Sequence, residues 1–191
     1  MAQTALAVPR QRAVTVCVPI LDPRVVRRLA PGAATPRERL DEIRRLSGAG
    51  VPCGLAIDPV LPGVNDRLRQ LRRLVSAGAR AGARWVTARG VRLSGEEGEG
   101  ILSAMALWRP ALARRYRSRF GPAGEPPRLW EDRLQRMVAS LRVEFGLAPG
   151  PREALGREST RLQLHLPFRA DAGANEYPEG RAGARLIAVA G

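Results

Sequence analysis

Residues 14–21, VTVCVPIL, are the stretch that decides the fold class of this chain. The run is rich in β-branched residues and apolar on both alternations, which is typical of a strand buried on both faces of a parallel sheet. Asp22 and Pro23 end the run and predict a turn. The chain should therefore contain a parallel sheet covered by crossover helices.

A helix and a second strand follow this run. Residues 35–38, TPRE, predict a helix start, because Thr35 can cap the helix, Pro36 suits its first position and Glu38 can reach back to the cap. One apolar face is then predicted at Leu40, Ile43 and Leu46. The second apolar run, residues 51–57, leads into a proline-rich loop.

The pattern then repeats once more. We expect Asp66 to cap a helix whose inward side carries Leu68, Leu71, Leu74 and Val75, and residues 85–93 to form a third strand. A strand–helix–strand–helix–strand order predicts an α/β fold with right-handed crossovers, either an open sheet or a slice of a (β/α) barrel. In both, ligands bind at the carboxyl ends of the strands. These ends are residues 19–22, 58–66 and 91–95.

The rest of the chain predicts two or three helices and two less regular ends. Apolar residues at helical spacing mark helices within residues 101–112 and 130–145, and Pro110 should kink or restart the first of them. We expect residues 1–13 to be a flexible amino terminus, residues 14–146 to form the folded domain, and residues 147–191 to be a poorly ordered tail.

Composition and charge restrict the function classes. The formal charge is +14, and all 32 basic residues are arginine, which together with abundant alanine is expected of a GC-rich bacterial genome. The arginines are spread over nearly every segment, and few aromatic residues lie among them, so charge alone gives little support to nucleic-acid binding. No apolar run is long enough to cross a bilayer, and no secretory signal is readable. We therefore expect a cytoplasmic protein without a membrane partner.

Cysteine and histidine are too few for several kinds of site. The chain has two cysteines, Cys17 and Cys53, and one histidine, His165. A zinc site needs about four ligands, and a Ser-His-Asp triad needs a supported histidine. Both cysteines are best interpreted as small buried side chains in strands, so no metal-binding or catalytic residue is assigned to this chain.

Several short motifs resemble a known family. They are Leu21-Asp22-Pro23 with Arg28-Leu29-Ala30-Pro31, several positions within residues 39–52, residues 59–66 (PVLPGVND), Val91-Arg92-Leu93-Ser94 and Phe145-Gly146-Leu147. Residues 14 to about 146 resemble the carboxyl-terminal half of radical S-adenosylmethionine (radical SAM) proteins of the spore photoproduct lyase-like group, often labelled DNA repair photolyases. The 59–66 motif is the most specific of these.

The resemblance implies a fold and two cofactors. The three strands would be the fourth to sixth of a partial six-stranded (β/α) barrel of TIM-barrel type. Without the first half of that barrel, the strand at residues 14–21 should have an unpaired edge, and the isolated chain should be marginally stable or self-associate. The family's first half carries a Cys-x3-Cys-x2-Cys loop that binds a 4Fe–4S cluster, which donates an electron to S-adenosylmethionine. This chain has no such triplet. The resemblance therefore implies both cofactors, with the cluster bound by a separately encoded half.

The same resemblance selects candidate cofactor-binding residues at the strand ends. Cys17 stands where the family tends to have serine, and Pro19-Ile20 stand where it has a pair of threonines. Asp58 replaces a small apolar residue, a carboxylate that would be costly to bury without a partner. Asn65 belongs to the 59–66 motif, and Arg92 is retained as a charge that would face the pocket. The candidate set is thus Cys17, Asp58, Asn65 and Arg92.

Three functions remain open from the sequence. The first is a truncated or degenerate radical SAM-type protein, catalytic only together with a cluster-bearing amino-terminal half. The second is a non-catalytic α/β binding module derived from such a domain. The third is a small basic protein that binds nucleic acid. Whether the chain is an enzyme is left open, because the cluster motif is absent.

Overall fold

The computed structural model describes residues 12–155, 160–164 and 186–188, and the chain has an α/β fold. Its centre is three parallel strands: β1 (Arg12–Cys17), β2 (Cys53–Val60) and β3 (Val86–Gly90). Strand β2 lies between the other two, with Val14 of β1 beside Cys53 and Leu55 beside Val86 of β3. The predicted α/β class, with parallel strands joined by helices, is confirmed.

Seven helices accompany this sheet in the described residues. Three lie between the strands along the chain and four follow them: α1 (Pro23–Leu29), α2 (Pro36–Gly48), α3 (Leu68–Arg80), α4 (Gly95–Trp108), α5 (Pro110–Arg119), α6 (Arg128–Phe145) and α7 (Pro151–Leu155). Pro110 begins α5 directly after α4, as expected of a residue that lacks a backbone N–H.

One face of the sheet is apolar and is covered by helices. Side chains alternate along a strand, so Val14 and Val16 of β1 share this face with Cys53, Leu55 and Ile57 of β2. They pack in one buried core with apolar residues of α2, α3 and α6: Leu40, Ile43, Leu71, Leu74, Val75, Leu134, Val138 and Leu141. Because both crossover helices, α2 and α3, lie on the same face, the sheet is wound like a (β/α) barrel rather than a doubly wound sheet.

A second apolar core caps the carboxyl ends of the strands. Ile20, Leu61 and Val91, each of which follows a strand, pack against α1, α4 and α5 through Val26, Leu29, Ile101, Met105, Ala113 and Tyr116. The carboxyl edge of the sheet is therefore enclosed by helices. This core positions the loops that leave β1, β2 and β3.

The helix starts were predicted with mixed success. At α2 the capping box is present, since Glu38 N donates to Thr35 Oγ1 and Thr35 N donates to Glu38 Oε2. Helix α1, which begins after the Asp22 cap, was not predicted. The expected cap of α3 by Asp66 is wrong, because α3 begins at Leu68 and the Asp66 carboxylate has other partners. Leu68 is exposed, not inward.

The edge of β1 was expected to be unpaired, and this expectation is wrong. Strand β4 (Thr160–Leu164) runs parallel to β1, with Val14 beside Leu162, and β5 (Leu186–Ala188) runs antiparallel to β4. The sheet order is β3-β2-β1-β4-β5.

Residues 1–11, 156–159, 165–185 and 189–191 lie outside the described residues, so the flexible amino terminus and the poorly ordered tail stay predictions.

Among residues 12–155 and the two strands beyond them, no helix combines the length and the apolar character needed to span a bilayer.

Candidate functional site

The second face of the sheet is small and polar. The register places Thr15 beside Gly54 and Cys17 beside Ala56, and Ala56 beside Thr87. Following the same alternation toward the carboxyl ends, Asp58 and Arg89 meet in an ion pair. We call this the polar sheet face, and its members are Thr15, Cys17, Gly54, Ala56, Asp58, Thr87 and Arg89. In a (β/α) barrel, the face away from the helices lines the interior.

Trp85 closes the amino-terminal part of the polar sheet face. The indole is fully buried, and its Nε1 donates to Thr15 Oγ1 at 3.1 Å. It crosses β2 at Gly54, where a Cβ would lie 2.1 Å from the indole Nε1. A glycine is thus required at the centre of β2 to let the ring pass. The buried hydroxyl and the indole N–H satisfy each other.

Cys17 lies at the end of β1 and is held by the neighbouring strand. It is buried, and its Sγ donates to the carbonyl oxygen of Asp58 at 2.8 Å. Burial raises the pKa of the Cys17 thiol to about 12, since the thiolate would lose its hydration. The group is therefore a protonated thiol at neutral pH, and it is suited to packing rather than to nucleophilic attack or metal ligation.

Asp58 and Arg89 form the charged centre of the polar sheet face. Arg89 Nε donates to Asp58 Oδ2 at 2.9 Å, and its Nη2 donates to the same oxygen. The Asp58 side chain is 15% exposed and the Arg89 side chain 60% exposed. The hydrogen bond to Asp58 raises the pKa of Arg89. The carboxylate predicted from the sequence therefore has a partner, and its cost of burial is offset.

A buried arginine that the sequence analysis missed supports the end of β1. Arg39 of α2 is buried, and its Nη1 donates to the Cys17 carbonyl oxygen at 2.8 Å while its Nε donates to Ala34 O at 3.2 Å. Burial lowers the pKa of Arg39. Arg39 precedes Leu40 and lies one turn before Ile43, so its place on the inward side of α2 was a signal available in the sequence.

Asn65 ties two strand ends together. Its buried carboxamide Oδ1 accepts from Leu61 N at 2.6 Å, and its Nδ2 donates to Pro19 O at 2.8 Å and Pro59 O at 3.2 Å. Three backbone groups in the segments after β1 and within β2 and its loop are thereby satisfied by one side chain. Asn65 is a structural clamp beside the candidate site, and its whole amide is used within the protein.

The loop after β2 is fixed from three further directions. Gly63 adopts φ of +78°, and its N–H donates to Asp66 Oδ1 at 2.9 Å. Tyr116 of α5 donates its hydroxyl to Pro62 O at 2.8 Å, and the Trp130 indole of α6 donates to Asp66 Oδ2 at 2.9 Å. Burial raises the pKa of the Tyr116 phenol. The loop is therefore rigid and braced by the carboxyl-terminal helices.

The structure brings three of the four candidate residues together. Cys17, Asp58 and Asn65 lie at the adjoining ends of β1 and β2, where Cys17 Sγ donates to Asp58 O and Asn65 Nδ2 donates to Pro19 O and Pro59 O. Arg92 is exposed two residues after β3 and takes part in none of the hydrogen bonds or ion pairs between described residues. The cation that does face the site is Arg89, which the sequence analysis did not select.

The described residues do not fit the cofactors that the resemblance implies. Cys53 lies on the apolar face, opposite Cys17, with its Sγ 3.5 Å from the Ile43 carbonyl oxygen. Nowhere in residues 12–155 or strands β4 and β5 do three potential metal ligands converge. The side chains of Thr15 and Cys17 are bonded within the protein, which leaves only the Asp58–Arg89 pair on this face, and two side chains do not by themselves form a site for S-adenosylmethionine.

A cleft at the opposite end of the molecule offers less chemistry. It lies between α3, the end of α6 and α7, has a volume of about 400 Å³ and is lined mainly by alanine, glycine and apolar side chains. Its charged lining residue, Arg84, already donates to Ala154 O at 3.1 Å. Because β3 starts here, the cleft lies at the amino ends of the strands, away from the polar groups at the carboxyl ends.

The fold and the site define an α/β protein whose parallel strands are covered by helices on one face and carry the Asp58–Arg89 ion pair on the other. No protein-family model matches the chain, and no solved structure matches it. It is similar to an uncharacterized protein of Mycobacterium bovis and to uncharacterized proteins of two Mycobacterium tuberculosis strains, each 32% identical over 154 residues. The matched region covers 81% of this chain and 45% of each relative, so the chain spans less than half of those proteins.

Proposed function

We propose that this chain supplies the carboxyl-terminal strands of a radical SAM-type (β/α) domain. In this proposal, catalysis requires a cluster-bearing part that the described residues do not contain, and a strand of that part takes the place of β4 at the edge of β1. The observation that carries it is the division of the sheet into a helix-covered apolar face and a polar face. A sheet of this kind is what a segment of a (β/α) barrel presents, with its polar side toward the interior.

The distribution of side chains along the strands supports the proposal. The polar sheet face changes from a buried Trp85–Thr15 contact at the amino ends to the Asp58–Arg89 pair near the carboxyl ends. Active sites of (β/α) barrels lie at the carboxyl ends. The pair is also partly solvent-accessible, and Arg89 is the more exposed member. These two side chains are the ones we propose to orient a bound ligand.

The relatives give a second line of support. Less than half of each mycobacterial relative aligns with this chain, so those proteins have ample length for further strands. In the family that the motifs resemble, the additional half binds the cluster that supplies an electron to S-adenosylmethionine. Since neither cofactor fits the described residues, no step of that chemistry is assigned to them.

The test uses a chimera. The aligned region of the M. tuberculosis relative is replaced by this chain, the protein is reconstituted anaerobically with iron and sulfide, and 5′-deoxyadenosine is measured after adding S-adenosylmethionine and reductant. We expect cluster formation and 5′-deoxyadenosine from the chimera, and neither from this chain alone. A chimera and an intact relative that both bind no iron would show the proposal to be wrong.

Two aspartate variants of the chimera test the site. Asp58→Asn removes the charge that pairs with Arg89 and should lower 5′-deoxyadenosine formation without lowering iron content. Asp41→Asn is the matched control, because Asp41 is an exposed carboxylate of α2 that also pairs with arginines. Equal activity of the two variants would remove Asp58 from the proposed site.

The competing proposal is a non-catalytic binding module of the same fold. Thr15 and Cys17 on the polar sheet face favour the binding module, because their side chains already make hydrogen bonds within the protein and need no cofactor as a partner. The two proposals differ in one measurement. A chimera that folds but holds no iron and releases no 5′-deoxyadenosine would support the binding module.

A further inference from the structure

Exposed arginines that belong to no ion pair between described residues occur on several helices, among them α1, α3, α5 and α6. On α2, Arg37, Arg44 and Arg45 pair with carboxylates of the same helix, and Arg72 of α3 pairs with Glu144 of α6. The arginines of α1 and α5 are all exposed, and none belongs to an ion pair between described residues: Arg24, Arg27, Arg28, Arg114, Arg115, Arg117 and Arg119.

Acidic residues are absent from α1, from α5 and from the segments on both sides of α5. Residues 100–124 contain no aspartate or glutamate, although the chain has 18 of them, and they include Arg109 and the arginines of α5. Within α1 there is likewise no acidic residue. Helix α3 also has no acidic residue, but one of its arginines, Arg72, pairs with Glu144 of α6.

An aromatic ring lies where the two basic segments meet. Trp108 ends α4 and is partly exposed. The guanidinium carbon of Arg28 on α1 lies 6.0 Å from the Trp108 ring centroid, and that of Arg109 lies 5.2 Å from it. Helices α1, α4 and α5 share one apolar core, so this arrangement is held by packing. In the sequence Trp108 directly precedes Arg109, whereas Arg28 is far away along the chain and is brought to the ring by the fold.

We infer that α1, Trp108 and α5 form a binding surface for single-stranded nucleic acid, which we call the arginine surface. Guanidinium groups bind phosphates through paired N–H donors, and bases stack on tryptophan rings and on guanidinium planes. Exposed arginines without carboxylate partners and a partly exposed tryptophan between two of them meet both requirements. This inference is independent of the proposed radical chemistry and can hold if that proposal fails.

Single-stranded nucleic acid is favoured over an acidic peptide by Trp108. Carboxylates on a peptide would use the arginines alone, whereas unpaired bases also use the ring. A duplex hides the faces of its bases within the stack and would likewise bind through phosphates only. DNA and RNA strands share the phosphodiester and base chemistry that the surface recognises, so both are included as separate arms of the test.

The first experiment compares two double variants of the whole chain. Binding of labelled single-stranded DNA and RNA of mixed sequence is measured by fluorescence anisotropy over a range of salt concentrations. Arg27→Gln/Arg28→Gln on α1 should weaken binding about tenfold and reduce the slope of log K against log salt by about 1.4, that is, by about 0.7 for each phosphate contact. Arg44→Gln/Arg45→Gln on α2 removes the same charge from exposed, ion-paired arginines and should leave the slope nearly unchanged.

The second experiment tests the ring. Trp108→Ala should weaken binding about tenfold, and Trp108→Phe should retain most of the affinity because a phenyl ring still stacks. Thermal melting of each variant shows whether it folds. If Trp108→Ala does not fold, the comparison of the α1 and α2 double variants tests the inference. Equal loss from the α1 and α2 variants, or binding of polyglutamate as tight as that of the oligonucleotides, would overturn the inference.

Discussion

Single residues explain why the two faces of the sheet differ. Trp85 can reach Thr15 only because β2 has glycine at position 54, so an absent side chain decides where the largest buried one lies. From the sequence, Gly54 was one residue of the second apolar run and Trp85 the first residue of the third predicted strand. Their contact could not be predicted, because it depends on the register between strands that are distant along the chain.

Gly54→Ala is therefore expected to destabilise the protein strongly. The added Cβ would overlap the Trp85 indole, and the ring could move only by losing its hydrogen bond to Thr15 and disturbing the packing around it. We expect a loss of about 2–4 kcal/mol in the free energy of unfolding, measured by urea denaturation.

Gly48→Ala is the matched control for this prediction. Gly48 ends α2, and a Cβ there has no neighbour within 4 Å, so the change should be neutral or slightly stabilising. If both alanine variants unfolded at the same urea concentration as the original chain, the placement of Trp85 over β2 would be incorrect.

The thiol of Cys17 makes a prediction about pH. Its folded-state pKa is raised to about 12 by burial, above the value of about 8.5 for an exposed cysteine. The unfolded chain therefore releases this proton first, and the contribution of Cys17 to stability is fully present below about pH 8.5 and declines as the pH rises toward 12. Folded protein at pH 8 should be alkylated by iodoacetamide far more slowly than protein in denaturant.

A Cys53→Ala variant isolates Cys17 in this measurement, since burial also raises the pKa of Cys53. Rapid alkylation of Cys17 in that folded variant would mean that the end of β1 is open to solvent. It would also restore Cys17 as a candidate reactive group.

At the level of elements, local sequence signals predicted the parts that depend on local chemistry. The capping box at Thr35 and Glu38 and the restart at Pro110 both depend on neighbouring residues, and both are present. Asp66 was misjudged as a helix cap, because its carboxylate instead binds Gly63 N and the indole of Trp130. Trp130 lies on α6, far along the chain, so the sequence around Asp66 could not predict this contact.

The candidate site was likewise predictable only in part. Parallel strands bring their carboxyl ends to one edge, so the proximity of Cys17, Asp58 and Asn65 followed from the order of elements. The partner of Asp58 did not, because Arg89 and Arg92 both lie near the end of the third strand and the side-chain alternation decides between them. A one-residue error in the strand would exchange the face on which each arginine lies.

The loop after β2 should depend on one buried amide. Asn65→Ala leaves Leu61 N, Pro19 O and Pro59 O without their partner in a buried setting, and we expect a loss of about 2–4 kcal/mol in the free energy of unfolding. Differential scanning calorimetry measures the effect as a lower melting temperature.

Gln70→Ala provides the comparison for Asn65. Gln70 Nε2 also donates to this loop, to Val64 O at 3.0 Å. Gln70 is exposed, so water can replace this hydrogen bond. Its loss should cost less than about 0.5 kcal/mol. A Gln70 variant as unstable as the Asn65 variant would show that burial of the amide is not what makes the clamp important.

At the scale of the whole molecule, the sheet continues beyond β1 through strands from the end of the chain. Strand β4 covers the edge of β1 and is itself covered by β5. From the sequence, β1 was expected to leave that edge open and the chain to self-associate, because an unpaired edge is a template for another strand. Pairing with β4 removes this cause of association.

Proline substitution in β4 tests whether the pairing protects the molecule. Neighbouring residues of a strand donate their N–H groups to opposite sides. Of the two variants Leu162→Pro and Gln163→Pro, one therefore removes a hydrogen bond to β1 and the other removes one toward β5. We expect the variant that loses the β1 bond to unfold at a lower temperature and to form larger species with rising concentration in size-exclusion chromatography. Arg128→Pro is the control, because Arg128 is the exposed first residue of α6 and follows the extended Pro127, so a proline fits there. If both β4 variants stayed monomeric with the melting temperature of the control, β4 would contribute nothing to the sheet, and the edge of β1 would be available to a strand from elsewhere, as the proposed barrel requires.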